Sequence, residues 1–178
     1  MGGGELIRRY KNDDVDALHL AIEESREHLA PWMAWASEPM PSGPKREAMF
    51  NEWNAEPRDT SYGVFDTEGR VIAGTGLHDR GGPTEIEIGY WVHTQATGRG
   101  LATRITETLT SVAFDSELSL VCVHIKHDGA NVASGRVPAR LGFTRTNVEV
   151  EEPDADGAQR ELWTWGMTRR VWASLRPK

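Results

Sequence analysis

The sequence lacks the features that would place it in a membrane, disulfide-rich or nucleic-acid-binding class. It contains no run of about eighteen apolar residues, and its start lacks the apolar core of a secretory signal peptide. Its single cysteine, Cys122, excludes an intramolecular disulfide and suits the reducing cytoplasm. A formal net charge of −7 argues against binding along a nucleic-acid backbone. These absences predict a cytoplasmic protein that binds neither membranes nor nucleic acids.

Two common phosphate-binding motifs are also missing. No Lys-Ser or Lys-Thr pair follows a glycine-rich run, and no Gly-x-Gly-x-x-Gly run occurs. There is no internal repeat, low-complexity segment or linker either. Because 178 residues are enough for one sizeable core, we expect a single domain spanning residues 1–178. We predict no metal site.

The sequence does contain a strand, a glycine turn and a helix in direct succession. Over residues 85–92 the apolar side chains alternate with the period of a β-strand, and residues 100–114 have helical spacing. The apolar face of that helix consists of Leu101, Ile105, Leu109 and Val112. Between them, Gly98 and Gly100 have no Cβ, so a phosphate can approach the main chain closely. The free N–H groups and the dipole at the helix start favour an anion, which predicts an anion-binding turn.

The remaining elements follow from the same periodicities and from turn residues. Asn12-Asp13-Asp14 supplies helix N-cap chemistry, and Pro31 ends the helix that follows. The predicted helices cover residues 13–29, 45–55 and 131–141. The predicted strands cover residues 5–10, 62–65, 70–78, 118–126, 144–151 and 160–168.

Four motifs stand in this framework: Gln95-x-x-Gly98-x-Gly100, Glu87–Val92, Asn131-x-x-Ser134-x-x-Val137-x-x-x-Leu141-Gly142-Phe143, and Pro31-Trp32-Met33-x-Trp35. With them, nearly the whole chain resembles the GNAT acetyltransferase superfamily. Within it, the chain is similar to the RimJ/RimL-type branch, which acetylates protein N-termini and small amines. The resemblance implies an α+β fold, an α/β/α sandwich. Its twisted sheet would be mixed, mostly antiparallel, with about seven strands, about four flanking helices and splayed central strands.

The resemblance also implies acetyl-CoA as cofactor, with its pyrophosphate on the glycine turn. The residues expected to contact it are Tyr90, Trp91, Val92, Gln95, Thr97, Gly98, Arg99, Gly100, Leu101, Ala102, Asn131 and Ser134. Arg104 is either a second source of positive charge for the phosphates or a solvated helix residue. Because the first position of the motif is Gln95 rather than arginine, affinity should depend mainly on backbone N–H groups.

For catalysis, the resemblance places Ser134 beside the departing thiolate, and Glu87 is our first choice of general base. Asn131 is expected both to cap its helix and to contact the cofactor. His78, Glu161 and a bridging water are alternative bases. His78 and Glu85 are further candidates for contacts with the acceptor. Gly135 and Pro138 depart from the family pattern, so the helix either bends after Ser134 or starts elsewhere.

The acceptor side is expected to include Trp32 and Trp35, which either stack on the acceptor or pack in the core. Cys122 lies mid-strand in an apolar setting, which argues against an acyl-cysteine intermediate and for direct transfer. We therefore predict an acetyl-CoA-dependent N-acetyltransferase, a monomer or homodimer. Its acceptor would be a protein N-terminal α-amine or a small amine-bearing molecule such as an aminoacyl nucleotide. The alternative is a non-catalytic acyl-CoA-binding sensor or scaffold.

Overall fold

The structure is a computed structural model that describes residues 4–39, 41–55, 58–80, 82–116, 118–152 and 159–176. Its strands are β1 Leu6–Arg9, β2 Thr60–Phe65, β3 Val71–His78, β4 Glu85–Val92, β5 Cys122–Asp128, β6 Thr144–Val150 and β7 Glu161–Thr168. Its helices are α1 Val15–Leu29, α2 Pro44–Ala55, α3 Leu101–Asp115, α4 Val132–Arg140 and α5 Arg169–Leu175. Short 3-10 turns occupy Asn12–Asp14, Ala34–Ser37 and Thr94–Ala96.

The seven strands form one mixed sheet in the order β1-β2-β3-β4-β5-β7-β6. β1 with β2, β2 with β3, β5 with β7 and β6 with β7 pair antiparallel, whereas β4 and β5 run parallel. The register between β4 and β5 covers three residue pairs, from Glu85 with Cys122 to Glu87 with His124. This architecture confirms the predicted α+β fold with splayed central strands. The described residues form five helices, where about four were predicted.

The chain divides into two compact units. The first consists of Met1–His78 and Tyr90–Ile105, and the second of Asp79–Gly89 and Thr106–Lys178. β4 and α3 therefore each contribute residues to both units. The single domain over residues 1–178 stays a prediction, and the two units are described one at a time.

In the first unit, the glycine turn is anchored in a small apolar core. Ala96 before the turn is 7% exposed, and Leu101 after it is 3% exposed. Both pack with Val64 and Ala73 of the neighbouring strands and with Ile105. A second cluster joins the buried face of α1 to Tyr10, Phe50 and Phe65. Because side chains on both sides of the turn are buried, its backbone is held while its tip faces solvent.

In the second unit, α5 completes an aromatic core. The Trp172 ring lies 6.5 Å from that of Phe114 and 6.3 Å from that of Phe143, and its Nε1 donates to Ser111 Oγ at 3.3 Å. The sequence analysis did not predict this helix, because seven residues with one buried side chain show no apolar periodicity. None of the helices in the described ranges has the length and apolar character needed to cross a bilayer.

Two local predictions are wrong. Val112 is 50% exposed, so the buried face of α3 ends before it. The strand predicted from residue 118 begins at Cys122. The predicted N-cap chemistry is present one turn earlier than α1, because Asp14 makes no side-chain cap to α1 but closes a capping box on the 3-10 turn before it. The Asp14 carboxylate accepts from Lys11 N–H at 2.6 Å and from the Arg8 guanidinium at 2.7 Å. These contacts, the Arg8 hydrogen bond foremost, lower the pKa of Asp14 against the effect of burial.

Candidate functional site

The glycine turn has the backbone geometry that close approach to a phosphate requires. Gly98 and Gly100 have φ of +73° and +72°, a left-handed conformation that side chains with a Cβ rarely adopt. A Cβ built on Gly98 would meet nothing within 4 Å, and one on Gly100 would meet only Arg104 Nη1, at 3.6 Å. The space above both glycines is therefore open, which leaves room for the predicted approach of a phosphate.

Arg104 braces the far end of the turn. Its guanidinium donates to the Arg99 carbonyl oxygen at 2.8 Å and to Glu5 Oε1 at 2.6 Å. Its side chain is 34% exposed. Arg104 is thus more than a solvated helix residue, and its contribution of positive charge to the phosphates stays a prediction. Nothing in the sequence indicated Glu5, since it lies 99 residues away.

The near end of the turn is held by His93, which sequence analysis missed. His93 is 6% exposed and follows β4 directly. Its Nδ1 accepts from Gln95 N–H at 3.2 Å, and its Nε2 lies 2.9 Å from Glu24 Oε2. Beside it, Ser25 Oγ accepts from Thr94 N–H at 3.1 Å. α1 therefore fixes the point at which the chain leaves β4 and enters the turn.

Among the predicted cofactor residues, several side chains are used in the first unit's own packing. Leu101 and Val92 belong to the small core beneath the turn. The Thr97 hydroxyl donates to the Thr94 carbonyl oxygen at 2.9 Å. Any cofactor contact from these residues would therefore come mainly from main-chain groups. The other predicted contacts in this unit are half-buried Tyr90, Trp91 and Ala102 and exposed Gln95, Gly98, Arg99 and Gly100.

Trp91 of β4 contacts Trp35, which lies with Trp32 in the segment after α1. A Cβ on Gly74 would lie 2.2 Å from Trp91 Nε1, so the indole occupies the space that only a glycine leaves open. The Trp91 and Trp35 rings meet edge to face, with centroids 6.3 Å apart. Trp32 and Trp35 are 38% and 43% exposed, which is more than core packing alone would leave. His78, also predicted on the acceptor side, has its Nδ1 3.1 Å from the exposed carboxylate of Asp59.

In the second unit, the two predicted glutamates of β4 both have cationic partners. Glu87 is 9% exposed, and its Oε1 lies 3.4 Å from Nη1 of Arg80. Glu85 Oε2 lies 2.8 Å from His124 Nε2 on β5. Glu87 also pairs in register with His124, which places both glutamates and His124 on one face of the sheet. The alternation predicted over residues 85–92 agrees with this register.

The surroundings of His124 favour its protonated form. Its Nδ1 is buried and meets no acceptor at hydrogen-bonding geometry, but the Cys122 side chain lies beside it. Cys122 first, and the Glu85 carboxylate after it, raise the pKa of His124 to about 9, while burial opposes the shift. When protonated, the imidazole lies where it can balance the charge of Glu85. Sequence analysis did not single out His124, since its role depends on the pairing of β4 with β5.

Ser134 lies in the first turn of α4. Asn131 Oδ1 accepts from Ser134 N–H at 3.0 Å, and the Asn131 carbonyl oxygen accepts from Gly135 N–H at 3.1 Å. The capping role of Asn131 is thus present. Its contact with the cofactor stays a prediction. Because α4 begins at Val132, the alternative that this helix starts elsewhere is excluded.

Gly135 is explained by the residue beneath it. A Cβ there would lie 3.0 Å from Cε1 of His127. That ring is fixed on both sides, since Trp165 Nε1 donates to its Nε2 at 2.9 Å and its Nδ1 lies 2.7 Å from the Asp128 carbonyl oxygen. Glycine therefore lets α4 lie against β5 beside Ser134. The alternative base Glu161 is exposed and accepts from Trp163 Nε1 at 3.0 Å.

Within the described ranges, no three or more His, Cys, Asp or Glu side chains are arranged to hold a metal ion. The chain does match known acetyltransferases. A family model of the acetyltransferase (GNAT) domain covers residues 6–144. The putative ribosomal N-acetyltransferase YdaF of Bacillus subtilis (strain 168) is 26% identical over 170 residues, 93% of this chain and 92% of that protein.

Solved structures share the fold. The crystal structure of a probable acetyltransferase superposes with a TM-score of 0.83 at 25% identity and covers 95% of both chains. RimL, the ribosomal L7/L12 α-N-protein acetyltransferase in complex with coenzyme A, has a TM-score of 0.79 at 17% identity, over 94% of this chain and 96% of its own. These findings confirm the predicted resemblance, the acyltransferase class and acetyl-CoA as the donor. They favour the enzyme over the non-catalytic sensor.

Proposed function

Because the chain belongs to the GNAT acetyltransferase family, we propose that it transfers an acetyl group directly from acetyl-CoA to an α-amine. The acceptor would be a protein N-terminus or the aminoacyl group of a small molecule. The observation that carries the proposal is the glycine turn, whose left-handed Gly98 and Gly100 leave open space above the start of α3. YdaF, named as a ribosomal N-acetyltransferase, supports the same acceptor chemistry.

In this proposal, main-chain groups bind the cofactor. Backbone N–H groups around Gly98 and Gly100 and the start of α3 would hold the pyrophosphate, with little help from side-chain charge because Arg104 is engaged with Glu5 and Arg99. The main chain of β4 after Glu87 would pair with the extended pantetheine arm. Acetyl-CoA supplies the activated thioester when it is bound.

The reaction needs a proton acceptor and a proton donor. The amine must lose a proton before it attacks the thioester carbonyl, and we assign this proton to Glu87, directly or through a water. The departing thiolate must gain a proton or a hydrogen bond, and we assign that role to the Ser134 hydroxyl. Holding both substrates in one site supplies the entropic advantage of direct transfer.

The charge balance near Glu87 favours an α-amine over a polyamine. An α-amine has an ordinary pKa of about 8, so an appreciable fraction is already neutral at physiological pH. A polyamine carries several amines that resemble lysine, with pKa near 10, and needs several unbalanced carboxylates to bind it. In the second unit, Glu85 is balanced by His124 and Glu87 by Arg80. This arrangement suits an acceptor with a single amine whose pKa is that of an α-amine.

The exposed tryptophans support an acceptor with a flat or apolar group. Trp32 and Trp35 would offer ring faces, and base–aromatic stacking contributes about 1–3 kcal/mol per base in other proteins. The Trp35 ring packs edge to face against Trp91, and this contact supports the exposed surface that Trp32 and Trp35 form. An aminoacyl nucleotide has both the α-amine and the ring. An N-terminal peptide with an apolar first residue would also satisfy the site.

An acetyl-CoA consumption screen tests the proposal. Wild-type protein is assayed with N-terminal peptides, aminoacyl nucleotides, polyamines and amino sugars at matched concentration. We expect turnover with the first two classes. Turnover restricted to polyamines or amino sugars would overturn the acceptor assignment, and no coenzyme A binding by the folded protein would overturn the function.

Two variants test the roles on the accepted substrate. Ser134→Ala should lower kcat more than it raises KM, by about 10²-fold or more if the hydroxyl acts in acid–base catalysis. Glu87→Gln should flatten the acidic limb of the pH–rate profile. A Ser134→Ala enzyme with wild-type kcat, or an unchanged acidic limb in Glu87→Gln, would remove the residue concerned from the mechanism.

A further inference from the structure

We infer that His93 is a positioning residue whose neutral ring holds the start of the glycine turn, so that coenzyme A affinity falls when the ring is protonated. This inference rests on the proposed function. His93 touches neither glycine. It acts on them through the 3-10 turn Thr94–Ala96, which leads directly into the glycine turn.

The hydrogen bonds of His93 define its protonation state. A backbone N–H can only donate, so the 3.2 Å contact from Gln95 N–H requires a lone pair on Nδ1. The ring proton of the neutral form must then lie on Nε2, where it donates to Glu24 at 2.9 Å. Each ring nitrogen therefore has one partner, and only the Nε2–H tautomer satisfies both.

Protonation of the ring would disrupt the hydrogen bond at Nδ1 and leave the one at Nε2 in place. A proton on Nδ1 would face the Gln95 N–H, which would lose its acceptor, while the bond from Nε2 to Glu24 would gain charge. The Glu24 carboxylate on α1 faces the ring, and Arg70, just before β3, interacts electrostatically with Glu24. The backbone of His93 donates to the Ile72 carbonyl oxygen at 3.0 Å and is unaffected by this change.

The turn would then be held less firmly. The hydrogen bond from Gln95 N–H to the buried His93 ring is itself part-buried, so water replaces the lost acceptor only in part. The bond from Thr94 N–H to Ser25 Oγ, which is independent of the ring, would remain. We expect the 3-10 turn to shift or fray. Because the glycine turn follows within two residues, its N–H groups would no longer be preorganised for the phosphates.

Two substitutions separate the ring's two hydrogen bonds. Asparagine places an oxygen near the position of Nδ1, so His93→Asn keeps an acceptor for Gln95 and cannot be protonated. Glutamine extends to the position of Nε2, so His93→Gln keeps a donor for Glu24 and loses the cap. Coenzyme A binding to wild type and both variants is measured by calorimetry at about pH 8 and about pH 5.5, on either side of the usual histidine range.

At the higher pH, His93→Gln should bind coenzyme A about tenfold more weakly than wild type, and His93→Asn within about twofold of it. On acidification, wild type should lose affinity by about fivefold more than His93→Asn. The comparison removes the titration of the ligand's own phosphates, which all three proteins share. Equal affinities of wild type and His93→Gln, or equal pH dependence of wild type and His93→Asn, would overturn the inference.

Ser25→Ala provides a second test that does not alter the ring. Removal of the Thr94 acceptor should weaken coenzyme A binding several-fold and leave the extra acid sensitivity of wild type in place. If His93→Gln does not fold, the pH dependence of His93→Asn against wild type decides the matter, and equal pH dependence of the two would contradict the inference. A folded wild type that binds no coenzyme A refutes the proposed function as well, whereas normal wild-type binding with no variant effect refutes this inference alone.

Discussion

Gly98→Ala separates the backbone strain of the glycine turn from its function as a phosphate site. A Cβ at Gly98 would meet no atom within 4 Å, so the substitution introduces no clash. Its φ of +73° costs a residue with a Cβ about 1–2 kcal/mol, and the loss of chain entropy in the unfolded state returns about 0.4–1 kcal/mol. We therefore expect a loss of about 1 kcal/mol in the free energy of unfolding, and a coenzyme A affinity at least tenfold lower, because the methyl group stands where the phosphate would approach.

Gly69 provides the matched control. It lies in the turn between β2 and β3, has φ of +80°, and a Cβ there would also meet nothing within 4 Å. Gly69→Ala should lose the same stability, within about 0.5 kcal/mol, and keep wild-type affinity for coenzyme A. Urea unfolding and calorimetric titration of both variants measure the two effects independently. Wild-type affinity in Gly98→Ala, or an equal loss of affinity in Gly69→Ala, would refute the assignment of the turn.

Two further predictions concern the second unit. Gly135→Ala gains about 1 kcal/mol of helix propensity but forces a methyl group against the fixed His127 ring, which costs about 1–3 kcal/mol, so the variant should be less stable. Ala133→Gly, at an exposed position of α4, measures the propensity contribution alone, and a stabilised Gly135→Ala would contradict the packing argument. His124 has a folded pKa of about 9, above its ordinary value of 6.5, so its stabilising contribution is complete below about pH 6.5 and is lost as pH rises through about 9. The difference in unfolding free energy between wild type and His124→Gln should therefore shrink over that range, and a difference that grows with pH would show that the pKa is not raised.

Much of the fold could be predicted because it depends on neighbours in the sequence. The alternation over residues 85–92 and the helical spacing after Gly100 depend only on which face of each element is buried. Gly98 and Gly100 marked a turn that an anion can approach because neither residue has a Cβ. The cap from Asn131 to Ser134 follows from a side chain that reaches three residues along the chain. By contrast, α5 has one buried residue and no period to detect.

The contacts that hold the candidate site are of a different kind. Glu24 lies 69 residues from His93, and Glu5 lies 99 residues from Arg104. No local pattern links these pairs, since a charged residue on a helix or strand end is usually solvated. In the sequence, Gly135 is an unfavourable residue inside a helix. In the structure, the His127 ring beneath it leaves little room for a side chain. His124 became part of the charge balance only through the pairing of β4 with β5.

From the sequence alone we predicted where a phosphate-binding turn would lie and that its backbone, rather than side-chain charge, would bind the anion. How that turn is held became visible in the folded structure: His93 and Ser25 hold one end, and Arg104 and Glu5 hold the other. The physical reason is the distance along the chain over which each kind of interaction acts. Backbone conformation and capping are set within about four residues, whereas hydrogen bonds between side chains depend on which distant elements the folded sheet and helices bring together.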